Sequence, residues 1–239
     1  MKEKLHTIPV NEAFDKGGEC PVCNMKKELE TKAIDFTMGP SYMEDDVRGE
    51  TSRLGFCEGH MELLYKNQNR LGLALILKSH MDKVIKDIEK LSGGNTRMSA
   101  PSLFKKQGDN SGVVSYVEEL DGSCYICDMI DRTFERYIAT IFYLYSHEEE
   151  FRQKFRACQG FCSRHYGLLY KQAPKHLSGG QLKDFTGELN TLYLDNMKRV
   201  RDDLEWFINK FDYRYAEEPW KNSKDALPRT INKTNSLIQ

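Results

Sequence analysis

Twelve residues are written almost twice in this chain. GFCEGHMELLYK at 55–66 and GFCSRHYGLLYK at 160–171 agree at eight positions. The identities include a Cys and a His three residues apart, Cys57 with His60 and Cys162 with His165, which is metal-ligand chemistry rather than core packing. Upstream of each lies a CxxC: Cys20 and Cys23 precede the first CxxH, and Cys124 and Cys127, offset by 104 residues, precede the second. A repeat of this kind constrains the fold strongly, because the same supersecondary unit must be built twice.

Between the two motifs of each copy the pattern is helical. MKKELETKAIDF and MIDRTFERYIATIFYLY follow the CxxC pairs with apolar residues at three- and four-residue spacing. Ser41 with Glu44 and Ser146 with Glu149 read as S-x-x-E capping boxes that open a second helix. Gly55 and Gly160 should end it in a left-handed cap, and Phe-Cys-x-x-His should start a third. A fourth helix is expected with Leu77, Met81, Val84, Ile85 and Ile88 on one face in the first copy, and Leu182, Phe185, Leu189, Leu192, Val200, Leu204, Phe207 and Phe211 in the second. Strand signals are confined to VVSYV at 113–117. The fold class is all-α: two helical halves related by internal duplication and an approximate two-fold, each with a Cys3His metal knuckle.

The expected division is an N-terminal helical repeat at 1–91, a linker at 92–122, a C-terminal repeat at 123–215 and an irregular tail at 216–239. The linker reading rests on the Gly, Ser and Asn of SGGNTRMSAPSLFKKQGDNSG. Trp220 is the residue expected to pin the tail to the body.

Helix lengths decide how the donors meet. A first helix over about 24–38 and a second over about 42–54 would be about 22 and 20 Å long, so the chain returns to its start. On that arithmetic Cys57 and His60 join Cys20 and Cys23, and Cys162 and His165 join Cys124 and Cys127. The alternative is an exchange, with the CxxC of one half meeting the CxxH of the other. Either way three thiolates and an imidazole suit tetrahedral Zn²⁺, two ions per chain, and a full set of four protein donors marks a structural rather than a catalytic site. An iron–sulfur cluster could use the same number of ligands.

Composition removes other classes. Lys plus Arg (35) balance Asp plus Glu (36), so no global field favours nucleic acid or an anionic membrane. Lys198, Arg199 and Arg201, beside Asp202 and Asp203, read as paired helix-surface charge. The N-terminus lacks an apolar signal segment, and the longest greasy run is LGLALIL at 71–77, too short to span a bilayer. A cytoplasmic location follows, in which all seven cysteines are thiols. Cys158, the seventh, has no counterpart in the first copy and reads as a buried helix cysteine. His6, His80, His147 and His176 have no partner for general-base chemistry. Nor is there a phosphate loop, a nucleophile elbow or an H-E-x-x-H, so no enzymatic activity is assigned. Glu58, Ser163 and Arg164, inside the CxxH knuckles, are candidates to support the ligands.

The functional reading is a zinc-binding helical scaffold that acts through a protein partner the sequence does not name. A thiol–disulfide redox enzyme or sensor built on the CxxC pairs is the alternative from another class; nucleic-acid binding lacks a basic stripe. Taken together, LHTIPVNEAF, ECPVC, GPSYMEDDVR, LGFCEGH, NRLGLALILK, CYIC, GFCSRH and NSKDALPRTI resemble a bacterial domain-of-unknown-function family found mainly in Gram-positive anaerobes. The resemblance covers nearly the whole chain and implies that the eight Cys and His positions belong to the family's pattern. It implies no activity.

Overall fold

The apolar periodicity is realised as helices throughout. The computed structural model describes residues 6–92 and 111–236, and among these there is no strand. In chain order the helices are α1 (Thr7–Asp15), α2 (Pro21–Met38), α3 (Asp45–Leu54), α4 (Glu58–Lys66), α5 (Arg70–Leu91), α6 (Ser111–Asp121), α7 (Tyr125–His147), α8 (Glu149–Ala157), α9 (Ser163–His176), α10 (Gly179–Asn209) and α11 (Ala226–Asn235), with short 3₁₀ turns at Pro40–Met43 and Tyr213–Tyr215. Among the described residues no helix is long and apolar enough to cross a membrane.

The chain forms two compact units, one from Met1–Glu28 with Thr133–Gln239 and one from Leu29–Arg132. Helices α2 and α7 each begin in one unit and end in the other. The larger unit is built on aromatic packing: Phe14, Phe142, Tyr145, Phe151, Phe155, Phe161 and Phe185 are buried. Their rings meet at centroid distances of 4.9 Å for Phe14 with Phe151, 4.9 Å for Tyr145 with Phe185 and 5.2 Å for Phe155 with Phe185, the offset and edge geometries that the ring quadrupole favours. The smaller unit buries Ala33, Ile34 and Met38 of α2, Val47 and Thr51 of α3, Leu64 of α4, Leu73 and Ile76 of α5, and Ile126 and Ile130 of α7.

Several local expectations are corrected. Neither capping box forms: Ser41 lies in the 3₁₀ turn and α3 starts only at Asp45, while Ser146 is inside α7 and donates to Phe142 O. VVSYV is part of α6, which replaces the last third of the expected linker; residues 93–110 of that linker lie outside the described residues. In α5, Met81 and Ile85 of the expected buried face are exposed, the buried set being Gly72, Leu73 and Ile76. The tail is not irregular: it contains α11, and Trp220 does hold it, packing 6.0 Å from Phe207 while Trp206 donates to Pro219 O.

Gly55 ends α3 with φ of +59° and Gly160 follows α8 with φ of +76°. At Gly160 an added Cβ would lie 2.8 Å from Leu192 O, so both the backbone angle and the space require glycine. At Gly55 the neighbour is His80, whose ring would be 2.8 Å from a Cβ and whose Nδ1 lies 2.8 Å from Ser52 O. His80 therefore has a packing role that sequence reading did not assign. Each glycine turns the chain so that the following Phe-Cys enters the next helix.

Candidate metal centres

Four helices begin in the same way. Cys20, Cys57, Cys124 and Cys162 each precede a helix, and their carbonyls accept the first intrahelical bond from Asn24, Met61, Asp128 and Tyr166 at 3.3, 2.9, 3.0 and 2.8 Å. Each is thus an N-cap, and the second donor, Cys23, His60, Cys127 or His165, stands one turn in on the same face. This is why two-residue spacing works: cap and third helical position point the same way, toward the positive end of the helix dipole.

The starts of α2 and α9 converge in the larger unit, bringing together Cys20, Cys23, Cys162 and His165; those of α4 and α7 converge in the smaller one, bringing together Cys57, His60, Cys124 and Cys127. All eight predicted positions are therefore gathered in fours, but the pairing is the exchanged one, and the expectation that Cys57 and His60 join Cys20 and Cys23 is overturned. The reason is helix length. α2 has 18 residues and α3 only 10, about 27 Å out and 15 Å back; α7 has 23 and α8 only 9. The return leg is too short to bring either chain segment back to its own CxxC.

Within each centre the imidazole nitrogen lies at similar distances from all three sulfurs, and the four donor atoms lie within 4.8 Å of one another. In the first, His165 Nδ1 lies 3.5, 3.3 and 3.2 Å from the Sγ atoms of Cys20, Cys23 and Cys162, and Cys23 Sγ is 3.6 Å from Cys162 Sγ. In the second, His60 Nδ1 lies 3.2, 3.3 and 3.4 Å from Cys57, Cys124 and Cys127, and Cys57 Sγ is 4.0 Å from Cys127 Sγ. Bonds of 2.0–2.3 Å to one central ion require edges of about 3.5 Å between nitrogen and sulfur and about 3.8 Å between sulfurs. The residues present fit a tetrahedral cation, and each centre can hold one metal ion.

The electrostatics agree. Hydrogen bonds from Cys20 and Cys23 hold the Cys162 thiol far below its usual range, whereas burial lifts Cys20 well above its own and the bond to Cys162 pushes Cys23 up to about 12. In the second centre burial works against Cys124, but the bond to His60 and the amides of the knuckles bring it down to about 6; burial, with the charge of Cys124, raises Cys127 to about 12. The bond to Cys124 also raises His60. Each centre thus draws one thiol down and pushes a neighbour up, and a bound dication would favour the thiolate at every ligating sulfur. All seven cysteines are free thiols.

A family model, described as a family of unknown function, DUF6062, matches the chain over residues 1–239. The chain belongs to DUF6062. No curated protein and no solved structure matches it.

Four further residues of this DUF6062 chain bear on the centres, and sequence reading missed them. Glu30 of α2 places Oε1 3.2 Å from His60 Nε2, the carboxylate–imidazole pairing that fixes a ligating ring. Ser123 donates to Leu54 O at 2.6 Å, joining the chain just before Cys124 to the chain just before Cys57. In the first centre Lys233 of α11 does the equivalent work: its Nζ, in a side chain 1% exposed, donates to Glu19 O at 2.6 Å and Gln159 O at 2.5 Å and pairs with Glu19 Oε2 at 3.1 Å. Ser236 Oγ, just beyond α11, donates to Cys162 Sγ at 3.0 Å. Of the expected supports, Ser163 holds α11 through Lys233 O and Arg164 acts on Cys23 by charge, while Glu58 is exposed. Arg199 is not a surface pair: it bonds the buried Glu19 at 2.6 Å, and Asp203 is taken by Arg229 at 2.8 Å. A lysine or serine 69 or more residues from its partner leaves no local signal; only the folded topology reveals it.

Proposed function

We propose that this DUF6062 protein is a zinc-binding helical scaffold in which two structural Cys3His centres, Cys20/Cys23/Cys162/His165 and Cys57/His60/Cys124/Cys127, clasp one Zn²⁺ each. The observation that carries the reading is the set of donor-to-donor distances, 3.2–3.5 Å to nitrogen, close to the nitrogen–sulfur edges of a tetrahedral zinc site in both centres. Zinc is favoured because three thiolates and an imidazole leave no open position and no redox requirement. The two centres descend, on this reading, from one duplicated unit whose knuckles exchanged partners. The protein acts as an interaction or regulatory scaffold in the reducing cytoplasm, through a protein partner rather than nucleic acid.

Elemental analysis of protein purified without added metal tests it: two zinc per chain is the expected result. Replacement by Co²⁺ should give the visible absorption of a tetrahedral thiolate site. A brown protein containing iron and sulfide, or a metal-free chain whose cysteines cycle with a dithiol reductant, would overturn the zinc scaffold.

A further inference from the structure

The two centres hold the same donors in different surroundings. In the first, Cys20, Cys23, Cys162 and His165 are all buried. α11 lies against it, with Ser236 Oγ donating to Cys162 Sγ and the Lys233 ammonium seated on the carbonyls of Glu19 and Gln159, which lead into the two knuckles. In the second, Cys57 and Cys127 are only half-buried, their sulfurs 4.0 Å apart, and the group on the far side of the imidazole is the carboxylate of Glu30.

From this contrast we propose that the second centre is a reactive zinc–thiolate switch that releases its ion to peroxide or a competing chelator, while the first is a permanent clasp. The proposal rests on the zinc reading and assigns the two ions different roles. A hydroxyl bonded to a thiolate sulfur withdraws electron density from it, and full burial keeps oxidants out, so the first centre is held quiet. A carboxylate on the ligating imidazole makes the second more electron-rich, and access to Cys57 and Cys127 lets a small oxidant arrive.

The chemistry balances with peroxide as the oxidant. Cys57 Sγ attacks one peroxide oxygen, the O–O bond breaks, and hydroxide leaves and takes a proton to become water. Cys127 Sγ then attacks the resulting sulfenic sulfur; the S–S bond forms, the S–O bond breaks, and a second water departs after protonation. Two thiolates lose two electrons, one peroxide becomes two waters, and the centre retains two of its four donors, too few to keep the ion.

Zinc-loaded full-length protein, mixed with a chromogenic chelator or with hydrogen peroxide, tests this. Release in two phases of one zinc each is expected, separated by about tenfold or more in rate. The fast phase should be missing in Cys57→Ser and the slow one in Cys162→Ser, and peptide mapping after the fast peroxide phase should find a Cys57–Cys127 disulfide. Ser236→Ala, which leaves every donor in place, should accelerate the slow phase alone. Both ions leaving in one phase, or first release from the centre containing Cys162, overturns the proposal while leaving the zinc reading intact. A chain that never holds zinc overturns both.

Discussion

Replacing Lys233 with Met keeps the length and apolar stem of the side chain and removes only its ammonium. Three contacts go with it: Glu19 O at 2.6 Å, Gln159 O at 2.5 Å and Glu19 Oε2 at 3.1 Å. Two backbone carbonyls lose a charged donor, a bond type worth about 1.5–3 kcal/mol each. Glu19 keeps Arg199 at 2.6 Å, so its carboxylate is not stranded, and the cost of burying the lysine, which lowers its own pKa, is relieved. The net loss should be about 3–4 kcal/mol, the lower part of what breaking a buried pair costs. For a chain of this size that is a fall of about 6–16 °C in Tm, measurable by calorimetry of the zinc-loaded protein. The fall should be accompanied by weaker zinc retention at the centre containing Cys162, with the other unaffected. A melting temperature within about 2 °C of the parent, the range of ordinary surface substitutions, would refute the claim that Lys233 ties the two knuckles together.

The pairing of donors makes a sharper test than any single substitution. Cys20→Ser with Cys162→Ser should lose one zinc and be no worse than either alone, whereas Cys20→Ser with Cys57→Ser should lose both; metal counts by native mass spectrometry that give the reverse would restore pairing within each copy. Gly160→Ala should destabilise by about 1–3 kcal/mol, because φ is +76° and Leu192 O stands 2.8 Å from the new methyl; an unchanged thermal midpoint would show that the turn is not strained by a side chain. Glu30→Gln should weaken zinc at the centre containing His60 by about tenfold in a chelator competition, and equal affinity would mean that the 3.2 Å contact does not orient the ring.

The donors were legible because a capping Cys and a ligand one turn later obey a local rule that survives in sequence. The pairing was not: it depends on the difference between an 18-residue and a 10-residue helix, and the Ser41 motif suggested an earlier start for α3 than the 3₁₀ turn at Pro40–Met43 allows. α6 was hidden because VVSYV is β-branched and short, although its flanking EELD favours helix. α11 was hidden by Pro228, which lies in its first turn, where the missing N–H costs nothing. Lys233 carried no signal at all, since its partners lie 214 and 74 residues away.

The exchanged pairing nests one ring of chain inside another. Residues 57–127 close the inner ring and residues 20–165 the outer. A ribosome delivers the inner pair of knuckles well before Cys162, so on the zinc reading proposed above the inner ion would be captured while the outer CxxC is still waiting. Once captured, it shortens the effective span the outer closure must bridge, lowering its entropic cost. Stalled nascent chains in which everything up to Cys127 has cleared the exit tunnel while Cys162 has not should therefore carry one zinc held by Cys57, His60, Cys124 and Cys127, and chains that carry none until synthesis is complete would contradict this vectorial order.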